Sequence, residues 1–124
     1  MLKKLLPIFF LLTAYIIPQS DSTLILSEIM FYPQTGPNEF IELYNYSDTE
    51  SIDLDSFKIK YATSNPDIIT DAGEGAILPP KSFAIILEGD YQIGSGIYDG
   101  IIPEEALVVK ISDNSFGASG MSNT

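Results

Sequence analysis

The chain contains no cysteine, histidine, tryptophan or arginine; lysine is its sole cation, with 6 lysines against 17 Asp and Glu in 124 residues. Without Cys no disulfide framework can form. Without Cys or His, the usual zinc sites, haem ligation and Cys/His nucleophilic catalysis are excluded. A Ser-His-Asp set fails for the same reason. So few cations argue against nucleic acid, which is held by neutralising phosphates with Lys and Arg. The formal net charge of −11 instead favours cationic partners or divalent ions. The length suits one domain with a modest core, stabilised by packing alone.

A long apolar run is also missing. Met1-Leu2-Lys3-Lys4 is a basic start, and the apolar stretch over residues 5–17 is interrupted by Pro7 and closed by Pro18. A membrane-spanning helix needs about 20 apolar residues. A basic start with a shorter apolar stretch reads as a secretory signal. Ser20 and Ser22 supply the small residues that cleavage requires, so residues 1–22 are expected to leave and Thr23 to become the N-terminus. No Cys follows the run, so nothing marks a lipoprotein. The exported part then keeps only Lys58, Lys60, Lys81 and Lys110 as cations.

From Thr23 onward there is no sustained helical period. Short β-branched and aromatic runs alternate with turn clusters, the pattern of an all-β sandwich or barrel. Residues 24–30 form the first run. Residues 39–45 alternate most clearly, with Ile41, Leu43 and Asn45 on one face and Phe40, Glu42 and Tyr44 on the other. Next come residues 52–54 and 57–61, where Phe57, Ile59 and Tyr61 are expected to point inward and the lysines outward. A short strand is expected at Ile68-Ile69, and another run, residues 76–78, stops at Pro79-Pro80, which bars a central strand there. Residues 82–88 are the strongest apolar run and read as buried on both faces. Residues 89–100 read as loop and 106–111 as the last strand. No repeat or interdomain linker is visible.

In this order, LILSEIMFYP (24–33), NEFIELYNYSDTESIDLDSFKIKY (38–61), GAILPPKSFAIIL (75–87) and IPEEALVVKISDNSFGASGMSN (102–123) resemble the lamin tail domain, an immunoglobulin-like β-sandwich of nuclear lamins and many exported bacterial proteins. Many members carry Trp where this chain has Phe57. The resemblance implies further strands after the turn at Ser122-Asn123, whereas the chain stops at Thr124. The expectation is a signal peptide over residues 1–22 and a lamin-tail-like domain over 23–124, a fragment lacking its last strands.

Candidate chemistry is sparse. Glu28 and Glu42 sit mid-strand and are possible sheet neighbours. Paired carboxylates are the minimum kit for glycoside hydrolysis, but no third polar group converges on them, and a solvated face is the favoured reading. Asp48, Glu50, Asp53 and Asp55 crowd one turn, and Asp67, Asp71 and Glu74 another. Oxygen-rich loops suit Ca²⁺, which makes the first four the weak metal candidates. Their spacing matches no EF-hand, and residues 47–57 lack the glycine such a loop needs. Solvated turns and no cofactor are expected. Tyr32, Tyr44, Tyr91, Tyr98 and Phe116 are either an aromatic platform for sugar or protein, or core and rim residues, the favoured reading. Asn45-Tyr46-Ser47 matches the short N-glycosylation pattern.

The expected function is an exported, non-catalytic interaction or structural module that contacts a protein or cell-surface partner, with no nucleic acid and no transmembrane helix in the mature chain. The rival expectation is an accessory domain of an extracellular hydrolase, such as a nuclease or phosphatase, whose catalytic part lies outside this chain. Mass spectrometry of the exported product should find an N-terminus within a few residues of Thr23; a stable membrane-retained product still carrying Met1 would refute the leader.

Overall fold

The computed structural model describes residues 23–31, 33, 38–117 and 119–121. The signal peptide expected over residues 1–22 and the turn expected at Ser122-Asn123, with the chain beyond it, therefore lie outside the described residues. Eight strands follow one another: β1 (Leu24–Met30), β2 (Phe40–Asn45), β3 (Ile52–Asp53), β4 (Lys58–Ile59), β5 (Asp67–Asp71), β6 (Ile77–Leu78), β7 (Phe83–Leu87) and β8 (Leu107–Ile111). Among the described residues there is no helix. Six strands form one curled sheet in the order β1-β2-β7-β8-β5-β4, and β3 pairs with β6 as a second, two-stranded piece. All pairs are antiparallel except β7 with β8.

The period-2 pattern of β2 decides which face is which. Ile41, Leu43 and Asn45 are buried while Phe40, Glu42 and Tyr44 are half-buried, as the alternation requires. On β7 the inward residues are Ala84 and Ile86; on β8 they are Val109 and Ile111, and on β5 Ile69. These pack with Leu54, Leu78 and Phe116 into the main core. Burying a large aliphatic or aromatic side chain stabilises by about 1.5–3 kcal/mol each.

The parallel pairing of β7 and β8 generates a second core. Parallel neighbours need a crossover of a dozen or more residues, and here residues 88–106 supply it as a string of turns. The crossover lies on the outer face of the sheet. Tyr91 and Ala106 are buried there against Ile85 and Leu87, with Phe40, Tyr98, Ile102 and Val108 at the margin. The Tyr91 and Tyr98 rings stack at 5.9 Å, and the Tyr91 hydroxyl accepts the Tyr98 N–H at 2.8 Å. Gly96 lies directly under the Tyr91 ring: a Cβ there would sit 2.1 Å from Cζ, so only glycine fits. Residues 84–87 are thus covered on both sides, as their unbroken apolar run suggests.

Two expectations need correction. Phe57 does not point inward with Ile59 and Tyr61 but is 43% exposed. Its N–H is drawn back to the Leu54 carbonyl at 3.0 Å in a tight turn, with Ser56 in the left-handed region at φ 66. That turn sends Leu54 into the core instead. Secondly, the run 82–88 is not covered on both faces throughout: Ala84 to Leu87 are buried, but Phe83 is 44% exposed, because the crossover stops short of its row. Residues 89–100 are turns and loop as expected, with Tyr91 among them in the core. β1 also departs from simple alternation. A bulge between Leu26 and Glu28 resets its register, so Leu24, Leu26 and Ile29 all sit opposite inward residues of β2. Leu26 and Ile29 nevertheless stay exposed at the sheet's edge.

The two-residue strands β3 and β6 cannot stand alone. Asn45, fully buried at the end of β2, holds them. Its Nδ2 donates to the carbonyls of Glu50, Leu78 and Pro79 at 2.8, 3.2 and 3.0 Å. Its Oδ1 accepts the Ser47 N–H at 3.0 Å. Replacing Asn45 by Ala removes a donor that three buried or half-buried carbonyls share, and should cost on the order of 3 kcal/mol. Asn45→Asp should cost more, because a carboxylate oxygen then faces those carbonyls. Denaturant melts check the order; a parent-like midpoint for either variant would refute it.

Candidate interaction site

On the outer face the crossover covers only part of the sheet. Strand register sorts the outward side chains into rows. Ile25, Tyr44 and Phe83 form one row across β1, β2 and β7. Glu28, Glu42, Ile85 and Val108 form the next, and Met30, Phe40, Leu87 and Lys110 the third. The crossover lies over the third row and the Ile85 end of the second. The first row stays open: Ile25 is 45% and Phe83 44% exposed. Tyr44 and Phe83 are in ring contact at 4.5 Å, and Tyr46 continues the aromatic line at 6.5 Å from Tyr44.

Between the open row and the edge of the crossover runs a groove. One part, about 390 Å³, is walled by Phe83, Ile85, Pro103 and Ala106, with Glu42, Lys81 and Glu105 as its charged groups. A second part, about 200 Å³, shares Glu42, Ile85 and Pro103 and adds Phe40, Tyr98 and Ile101. Glu42 therefore stands at the junction, flanked by the Tyr44–Phe83 pair and by Phe40, whose ring meets Tyr98 edge-on at 5.2 Å. Lys81 closes one end. Its ammonium donates to the Tyr46 carbonyl at 2.8 Å, pairs with Asp48 at 3.0 Å and sits 4.1 Å over the Tyr46 ring. The Asp48 carboxylate raises the Lys81 pKa, so that ammonium stays charged.

The structure brings Glu28 and Glu42 together as directly opposed residues of β1 and β2. Ser27, pushed out by the bulge, donates its hydroxyl to Glu42 Oε1. That hydroxyl is a third polar group at the pair, where the sequence led us to expect none. The four loop acids do not converge: Asp48 is tied to Lys81, Glu50 takes a Thr49 contact, and Asp53 Oδ1 accepts the Asp55 N–H at 2.9 Å. Among the described residues no three carboxylates gather as a metal would require. In the other turn, Asp71 Oδ1 accepts the Gly73 and Gly75 N–H groups, each at 2.7 Å, which lowers its pKa. Of the five aromatics, Tyr91 and Phe116 are core, Tyr44 and Tyr98 line the outer face, and Tyr32 lies outside the described residues. The buried, fully engaged Asn45 amide leaves no room for a glycan in the folded domain. Among the described residues no helix is long and apolar enough to cross a membrane.

Sequence reading missed a buried pair of acids on the far rim. Glu39 and Glu88 flank β2 and β7 and are 8% and 3% exposed. Both Glu39 oxygens accept the Met121 N–H, at 3.0 and 2.7 Å, and the Glu39 N–H donates to Glu88 Oε2 at 3.0 Å. These two side chains thereby tie β2, β7 and the segment after β8 together. Burial raises the Glu39 pKa, against the pull of the Met121 N–H. Burial, reinforced by the charges of Glu39 and Asp90 and opposed by the Glu39 and Phe116 N–H groups, pushes Glu88 up to about 7. Asp67, buried with its Oδ2 on the Gly117 N–H at 2.8 Å, is raised mainly by burial and further by Asp113. The signal for Glu88 was available: a carboxylate immediately after the most apolar run of the chain.

The sequence model of the family described as Lamin Tail Domain matches residues 18–121, nearly the whole chain. No curated protein and no solved structure matches it.

A group whose carboxyl titrates higher in the fold than in the unfolded chain makes the fold hold protons more tightly, so stability declines as pH rises between the two values. For Glu88 that window runs from 4.5 to about 7, and Glu39 and Asp67 act in the same direction. Stability should therefore rise as pH falls from 8 to 5, by on the order of 3 kcal/mol from Glu88, and the melting temperature should climb with it. Glu88→Gln keeps an acceptor for the Glu39 N–H and removes the charge. It should flatten the profile and exceed the parent at pH 8; a parent-like slope would show that Glu88 is not the group responsible.

Proposed function

Since the chain belongs to the lamin tail domain family, a family of non-catalytic immunoglobulin-like domains, we propose that it is an exported interaction module that makes protein or cell-surface contacts through the open part of its outer sheet face. The observation that carries this reading is the uncovered Ile25–Tyr44–Phe83 row on a face that the crossover covers only in part. Contiguous exposed apolar surface beside polar groups is the mark of an interaction site. Aromatic side chains dominate such sites because they bury large areas at little entropic loss. Export is supported by the basic start and short apolar run of residues 1–17.

A contact reading is favoured over a reaction: Glu28 and Glu42 have each other and a serine hydroxyl, and the groove's Lys81 is already paired with Asp48. The test is retention at the cell surface. The double variant Tyr44→Ser with Phe83→Ser alters half-exposed positions, so the fold should survive, which a melt confirms. Surface retention should fall by about tenfold if a contact worth ~1.4 kcal/mol or more is lost. Unchanged retention of a folded variant would refute this face as the interaction site.

A further inference from the structure

Resting on that reading, we propose that the groove receives an extended basic segment of another polypeptide, with a lysine or arginine of the partner seated at the opposed carboxylates of Glu28 and Glu42 between two aromatic walls. Three observations carry this.

The first is the carboxylate pair itself. Directly opposed side chains on an antiparallel pair stand ~5 Å apart, where like charges repel. No lysine among the described residues forms an ion pair with either, the one such pair being Lys81 with Asp48. Of the groove's charged groups, Lys81 is already paired with Asp48, while Glu42 and Glu105 are anionic, so the groove is complementary to a cation, and the −11 net charge of the chain steers cations towards it. A neutral sugar would stack on the aromatics but leave the two carboxylates uncompensated.

The second is the walls. Tyr44–Phe83 stands on one side of Glu42 and Phe40–Tyr98 on the other. Aromatic faces attract ammonium and guanidinium groups and cover their aliphatic stems. The molecule already uses this contact at the end of the same wall, where Lys81 sits over Tyr46.

The third is spacing. Phe40, Glu42 and Tyr44 lie at alternate positions of β2, about 6.8 Å apart for an antiparallel strand. An extended ligand running along β2 presents its own alternate side chains at that interval. The two parts of the groove meet at Glu42, so the matching pattern is apolar, any, basic, any, apolar.

The probe is a capped peptide, Thr-Val-Thr-Lys-Thr-Val-Thr, titrated calorimetrically into the full chain at low salt. Saturable one-to-one binding is expected, weakened at least about tenfold by Glu28→Gln with Glu42→Gln, as loss of a charged partner implies, and similarly by acetylating the peptide lysine. The Gln pair relieves a repulsion, so its melting temperature should not fall. Asp53→Asn with Asp55→Asn removes the same charge elsewhere and should leave binding unchanged. Peptide binding that survives the Glu28/Glu42 change, or that falls equally with Asp53/Asp55, overturns the proposal. So does saturation of the Tyr44 and Phe83 resonances by a neutral oligosaccharide while the peptide has no effect. If the aromatic double variant loses surface retention while the Gln pair keeps it, the module reading stands and the basic partner falls.

Discussion

The buried amide of Asn45 is the contact on which the sandwich depends. Opposite the main sheet stand two strands of two residues each, β3 and β6, with too few ladder bonds to hold themselves in place. Asn45 reaches across and gives its Nδ2 protons to carbonyls before β3, on β6 and at Pro79. Its backbone N–H meets the Ser82 carbonyl just before β7. A hydrogen bond nets only ~1 kcal/mol in general. Here, however, one side chain serves three buried or half-buried carbonyls at once. With that tie in place, Leu54 and Leu78 are carried over Leu43 and Ile86, and the main core closes.

The outer face follows from a different constraint. Since β8 runs parallel to β7, the chain must return across the sheet, and the return supplies the second core. Its extent is limited by what Tyr91, Tyr98 and Ile102 can cover. The Ile25–Tyr44–Phe83 row and the Glu28 end of the next are left open, and the bulge at Ser27 lets a hydroxyl reach Glu42. The groove is thus the edge of a structural necessity. Its contents, aromatic on either side and acidic at the junction, give that edge a use.

The buried acids cap the other end. Glu39 and Glu88 join three segments through backbone N–H groups, satisfying donors that would otherwise be orphaned at strand ends. A dry setting opposes ionisation, so burial is the leading cause of both shifts, and for Glu88 the charges of Glu39 and Asp90 add to it. The same pair that organises the segment after β8 makes the fold sensitive to pH.

The sequence by itself determined the all-β class, the order of the strands and the inward face of β2, because alternation is a local property that the pleat converts directly into burial. It also marked the run 82–88 as covered on both sides, which holds for Ala84 to Leu87 but not for Phe83, because an apolar run does not say how far the covering segment reaches. Only the tertiary structure decided where Phe57 points, because a left-handed Ser56 turned it outward and put Leu54 in its place. Tyr91 was legible as a core or rim residue, but only the tertiary structure decided that it packs on the outer face against Ile85 and Leu87, as a turn-rich composition says nothing of what it covers. The candidate site belongs to the same class. Glu28 and Glu42 are fourteen positions apart in the chain, and their opposition, like the row of Ile25, Tyr44 and Phe83, exists only through strand register. A single bulge or a one-residue slip would exchange every such partner between the two faces of the sheet.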